Sequence, residues 1–244
     1  MQRILFLATA ALLVMLSPCH GGFFDDLSRE LLPSIQPQHA LDADTVVKGL
    51  KEALATGTQR AVTEVAKPDG YYGNQLIKIL LPERIRQTAT ILKEIGYRKE
   101  VDDLERSMNR AAESAAPQAA GFFGDAIRQM TVEDAREILS GGDTAATIFF
   151  EKSSRSRLFD SFKPTVTKSM NQVGTARAYK QLIGAYEALP LATLAGAPSL
   201  ELDDYITNKA LDGLFKMVGE EEKRIRSNPA AQTTELLRKV FGGK

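Results

Sequence analysis

"VDDLERSMNRAAESAAP", residues 101–117, sets Val101, Leu104, Met108, Ala111, Ala112 and Ala115 at helical spacing and ends on Pro117. Apolar residues recurring at three and four positions mark a helix with one buried stripe. A neighbouring face carries Glu105, Asn109 and Glu113 in an i,i+4 row, with Arg106 and Arg110 beside them. Such a row reads as a solvated edge whose ion pairs are worth about 0.2–0.5 kcal/mol each. Asn109 is the misfit, because an asparagine side chain competes for backbone groups and weakens a helix interior. A polar packing contact is therefore expected at Asn109, Arg110 and Glu113, with ligand contact as the alternative.

The same periodicity extends in both directions. Val46, Leu50, Ala53, Leu54, Ala61 and Val65 predict a helix to Ala66, and "KPDG" (67–70) then turns the chain with Pro68 at the second position. Pro82 suits the first turn of a further helix whose inward stripe is Ile85, Ala89, Leu92 and Ile95. Gly96 reads as its left-handed stop, with Tyr97 packing back on Leu92. Downstream, helices are expected over 99–116, 117–130, 132–140, 144–152, 155–161, 165–188, 202–227 and 234–241. Thr131 with Asp134 resembles a capping box, Asp143 stands where it can cap the next helix, and Pro164 can open the long one. The last segment, with Leu236, Leu237, Val240 and Phe241, is too short to be helical alone and is expected to dock. The expected fold is all-α, a single-domain multi-helix bundle over residues 45–244, with at most one short extended segment near residues 76–81.

The chain begins "MQRILFLATAALLVMLSPCHGG", with Arg3, an apolar stretch from Ile4 to Leu16, and then small residues. This is the layout of a secretory signal peptide over residues 1–21, cleaved near 19–21, and it is too short to span a membrane. A lead-in segment, 22–44, would follow. Periplasmic location is the expectation, with no transmembrane segment after signal removal. Cys19 offers a lipoprotein alternative, although Pro18 departs from the small residue such a site prefers.

Composition excludes several chemistries. Lys plus Arg and Asp plus Glu each number 31, so the net charge of zero provides no footprint for nucleic acid. His20 and His39 are the only histidines and Cys19 the only cysteine, all upstream of the helical body. A histidine triad, a cysteine nucleophile and a zinc site of ordinary ligands are excluded from that body. No metal or cofactor is expected, and no catalytic residue is assigned.

Carboxylates remain. Glu113-Ser114 resembles the Glu-Ser pair of lysozyme-like lytic transglycosylases, which makes a carboxylate-based cell-wall glycosidase using Glu113 the alternative to a non-catalytic role. In "GEEEKRIRSNP" (219–229), Glu222 and Arg226 stand at i,i+4 in the favourable order near a helix end. Tyr71 and Tyr72, in a glycine-bearing turn, offer either core cover or a platform for a sugar or partner.

Taken in order, "PDGYYGN", "IKILLP", "MNRAAESAAPQA", "AIRQMTVEDAREILSGGDTAATIFF", "LDDYITNKALDGLF" and "EEEKRIRSNPAAQTTELLRKVFG" resemble the bacterial family catalogued as domain of unknown function 4197. The resemblance runs from about residue 45 to the end. It implies an exported, mostly α-helical protein with no established activity, and it carries over no catalytic residues. In the family it resembles an arginine commonly stands at the position of Gln232, so the resemblance implies no charged contact there for this chain. The expected role is binding or structural, in the bacterial cell envelope. Its partner would be an envelope protein or a small apolar or peptidoglycan-related ligand.

Overall fold

The apolar stripe of residues 101–115 is completely enclosed, with Val101, Leu104, Met108, Ala111, Ala112 and Ala115 all without solvent exposure. The structure, a computed structural model, describes residues 43–172, 179–181, 183–184, 202–228, 232 and 238, all within a unit that spans residues 41–244. The expected signal peptide, most of the lead-in, residues 173–178, 182 and 185–188 of the expected long helix, and all but residue 238 of 234–241 lie outside the described residues.

Seven α-helices and one 3-10 turn make up the described fold: α1 Ala43–Ala66, α2 Glu83–Glu94, α3 Arg98–Ala115, the 3-10 turn Ala116–Gln118, α4 Ala119–Gln129, α5 Val132–Ser140, α6 Ala145–Gln172 and α7 Leu202–Ser227. The protein is all-α, and its described residues contain no strand. Helix α6 packs on α7, α3 and α4, while α7 also lies against α1 and α3. Phe123 of α4 meets Phe150 of α6 at 5.3 Å and Phe215 of α7 at 6.0 Å between ring centroids, where these helices converge. Aromatic pairs at such separations add about 0.5–1.5 kcal/mol beyond area burial.

Local signals account for some boundaries. Thr131 and Asp134 form the capping box before α5: the Thr131 hydroxyl accepts the Asp134 N–H at 3.1 Å and the Asp134 carboxylate accepts the Thr131 N–H at 2.9 Å. Hydrogen bonds from the Thr131 hydroxyl and N–H hold the Asp134 carboxyl below its ordinary value. A depressed folded value adds stability above the unfolded carboxylate pKa of about 3.9, and that stability disappears as pH falls through the folded value. Unfolding curves of the wild type and of Asp134→Ala should therefore differ at pH 6 and draw together towards about pH 2. A gap that stays constant across this range would assign the box no electrostatic share.

Gly96 terminates α2 with φ +109°, and the Tyr97 N–H donates to the Leu92 carbonyl at 2.8 Å, the long bond of a Schellman stop. Ile95, expected in the inward stripe, is half exposed instead, because the helix ends at Glu94 before that side of the turn is covered. Pro82 occupies the N-cap rather than the first turn, its carbonyl accepting from Ile85 and Arg86.

The largest departure from the sequence reading is α6. Segments expected as three helices, 144–152, 155–161 and the start of 165–188, form one helix of 28 residues with Pro164 inside it. A proline there removes one backbone bond and crowds the carbonyl four residues back, a cost of about 3 kcal/mol. Burial offsets it. Ala146, Phe150, Ser154, Leu158, Phe162, Val166 and Met170 follow at intervals of four, and all seven are buried. The Gln118 side chain also braces the two flanks of the proline, accepting from the Ser161 hydroxyl at 2.5 Å and donating to the Thr165 hydroxyl. Asp143 is not what holds the start of α6: a glutamate from α7 receives those N–H groups.

Candidate functional site

Segment 67–82 crosses the face of α3 that carries Glu105, Asn109 and Glu113. Pro68 and Asp69 occupy the centre of a turn closed by the Gly70 N–H on the Lys67 carbonyl at 2.8 Å, with Asp69 at φ +65°. Aspartate tolerates that left-handed position better than most residues. Gly70 is obligatory for a different reason, since a Cβ there would lie 2.5 Å from the Glu64 carbonyl oxygen.

The row on α3 is thus not a solvated edge. Asn109 is fully buried: its Oδ1 accepts the Ile79 N–H at 2.8 Å, and its Nδ2 donates to the Ile79 carbonyl at 2.8 Å and to the Glu105 carbonyl at 2.7 Å. One side-chain amide here does what a neighbouring strand would do for a single residue, which is why 78–82 needs no strand partner at Ile79. One turn on, Glu113 is 5% exposed; its Oε1 accepts the N–H groups of Tyr71 at 3.1 Å and Tyr72 at 3.3 Å, and its Oε2 accepts from Arg110 at 2.6 Å. Arg110 also reaches Asp69 at 2.8 Å. The Glu113 hydrogen bond is the first cause holding the Arg110 guanidinium above its already high ordinary value.

Tyr71 is fully buried and donates its hydroxyl to the Ala210 carbonyl of α7 at 2.7 Å. Its ring lies against Gly213, where a Cβ would come within 2.6 Å of the ring edge. Burial, then the charges of Glu113 and Asp212, push its phenol far above the usual range. Tyr71 is therefore core and not a platform. Tyr72 is partly exposed, with the Lys78 ammonium 4.2 Å and the Arg106 guanidinium 5.5 Å from its ring centroid.

Glu222 and Arg226 form a second, separate network on α7. Glu222 is 7% exposed and accepts from the Ala146 N–H at 3.0 Å, the Thr147 N–H at 2.9 Å, the Thr147 hydroxyl at 2.8 Å and Arg226 at 2.9 Å. These N–H groups belong to the second and third residues of α6, so Glu222 caps that helix from outside, at the end where its dipole favours an anion. Arg226 donates to the Ile138 carbonyl at 2.8 Å in the last turn of α5, the end that favours a cation. Beyond the end of α7, Gln232 is buried and donates to the Ile225 carbonyl at 3.2 Å, a neutral contact.

The structure thus brings Tyr71, Tyr72, Asn109, Arg110 and Glu113 into one network and leaves Glu222 with Arg226 in another. Asp69, Ile79 and Thr147 join them: Asp69 through its carboxylate to Arg110, Thr147 through its hydroxyl and N–H to Glu222, and Ile79 through backbone groups alone, which carry no sequence signal. Segment 76–79 and α7 also bound an open groove of about 230 Å³, lined by Leu76, Ile77, Lys78 and Ile79 on one side and Lys209, Asp212, Gly213 and Lys216 on the other. A smaller, almost wholly apolar cavity of about 20 Å³ lies between α1, α6 and α7, beside Glu222 and Arg226, with room for about one water. Among the described residues no cluster of histidine, cysteine and carboxylates could hold a metal ion, and no helix is long and apolar enough to cross a membrane.

Fold and site together define an all-helical protein that spends its buried carboxylates on pinning backbone segments. The chain belongs to the family described as Protein of unknown function (DUF4197), whose model matches residues 40–242. No curated protein and no solved structure matches it.

Proposed function

We propose that this is an exported protein of the bacterial cell envelope that acts by binding rather than by bond cleavage. The observation that supports this reading is the way segment 70–82 is fixed: Asn109 and Glu113 bind its backbone on one side, and the Tyr205 hydroxyl donates to the Leu80 carbonyl at 2.9 Å on the other. Held so, the segment presents Leu76 at 67% exposure and Leu80 at 43%. A rigid ridge with exposed apolar side chains suits a contact surface, because little conformational freedom is left to lose on binding.

The glycosidase reading fares worse on the same geometry. A general acid needs a protonated carboxyl facing a cleft, with a second carboxylate about 5–9.5 Å away. Both Glu113 oxygens already accept from backbone N–H groups or from Arg110.

Native mass spectrometry of the protein released from its own periplasm tests the reading. A retained ligand or partner is expected as added mass on a chain that starts near residue 20. Robust muralytic activity of the purified wild type, abolished in Glu113→Gln, would reverse the ranking. A mature chain beginning at an acylated Cys19 would make the protein membrane-anchored.

A further inference from the structure

We infer that the groove between segment 76–79 and α7 docks an acidic peptide segment of a partner protein, inserting one apolar side chain between carboxylates; this inference rests on the binding reading above. Size and charge select the occupant. At about 230 Å³ the groove falls below the roughly 300–1,000 Å³ of sites that enclose a small molecule. It suits a single side chain. Its floor is apolar, with Ile77 and Ile79 buried, and Leu76 stands exposed at its edge.

Its lining is cationic. Lys78, Lys209 and Lys216 face one acid, Asp212, and that acid is already met by Arg155 at 2.6 Å and Lys209 at 3.2 Å. Glu220 answers Lys216 at 2.9 Å from the next turn of α7. Arg155 also pairs with Glu151 at 2.8 Å and Glu220 with Lys223 at 3.5 Å, so with these partners counted five cations stand against three acids, an excess of two positive charges. The Lys209 and Lys216 side chains are about half exposed, and their pairs with Asp212 and Glu220 are surface pairs of small worth that an incoming carboxylate can share. Gly213 contributes in a second way: without a side chain it lets Tyr71 and Ile77 approach α7 closely, which fixes the groove wall.

The test pans a random twelve-residue peptide display library against the full mature chain and measures the selected peptides by fluorescence anisotropy. Recovered peptides should share a leucine-like or aromatic residue flanked by Asp or Glu, and their binding should weaken with salt. The double variant Lys209→Gln, Lys216→Gln should lose about fivefold or more in affinity, the scale of two exposed ion pairs. Leu76→Ser should lose about tenfold. All three positions are exposed, so thermal melts of these variants should match the wild type. Selection of neutral or basic peptides, no selection at all, or acidic peptides that bind the variants as well as the wild type would overturn the inference. Binding to phosphatidylglycerol vesicles in place of peptides would overturn it too, in favour of a membrane surface. If the groove fails while native mass spectrometry still finds a bound partner, the binding reading survives and the site lies elsewhere.

Discussion

Glu222→Ala should cost about 3–5 kcal/mol of unfolding free energy, the usual range for removing one partner of a buried, hydrogen-bonded ion pair. The change deprives the Ala146 and Thr147 N–H groups and the Thr147 hydroxyl of their acceptor. It also leaves the Arg226 guanidinium, 11% exposed, without its carboxylate. For a domain of this size the loss corresponds to a fall in melting temperature of about 6–20 °C. Glu222→Gln should be milder, because an amide oxygen can still accept one backbone N–H. A double-mutant cycle with Arg226→Ala should be clearly less than additive, since the two side chains act as one unit. A Glu222→Ala protein that melts within a degree or two of the wild type would mean that water replaces the carboxylate at the start of α6, and the remote cap would lose its structural role.

Asn109→Ala should destabilise by about 2–6 kcal/mol, because the Ile79 N–H and carbonyl both lose a partner in a buried site and each such loss costs about 1–3 kcal/mol. The informative comparison is Asn109→Asp. A carboxylate can still accept the Ile79 N–H, but its other oxygen then faces the carbonyls of Ile79 and Glu105, which the amide nitrogen now satisfies. Asn109→Asp should therefore be at least as damaging as Ala at neutral pH and should recover partly in acid, where a protonated carboxyl can donate. Urea unfolding at pH 7 and pH 4 measures both effects. Asn109→Asp equal to wild type at pH 7 would show that the amide's donor half is not needed.

These two expected results mark where the sequence stops being readable. Helix existence was legible because it depends on local periodicity: α3, α5 and α7 fall within a residue of the ranges that spacing and caps predict. The Thr131–Asp134 box and the Gly96 stop were equally local. At Pro164 the local rule gave the wrong break. The i,i+4 series from Ala146 to Met170 is present in the sequence, but local propensity favours a break at the proline, whereas in the fold the burial of seven side chains and the Gln118 brace outweigh it.

The candidate site divides in the same way. That Asn109, Arg110 and Glu113 share one helical face follows from 3.6 residues per turn, and so does the pairing of Glu222 with Arg226. What those faces meet does not follow. Glu113 and Asn109 reach back 42 and 30 residues, and Glu222 reaches 76, to bind backbone N–H groups. Every residue but proline offers such a group, so nothing in the sequence singles out Tyr71, Ile79 or Ala146 as the target. The sequence by itself determined the all-α class, the bounds of helices such as α3, α5 and α7, most of their buried stripes, the family and the absence of histidine and cysteine from the helical body. Only the tertiary structure decided that its misfit polar residues are buried braces and that lysines from two distant segments share a groove, because packing brings together groups that no local rule relates.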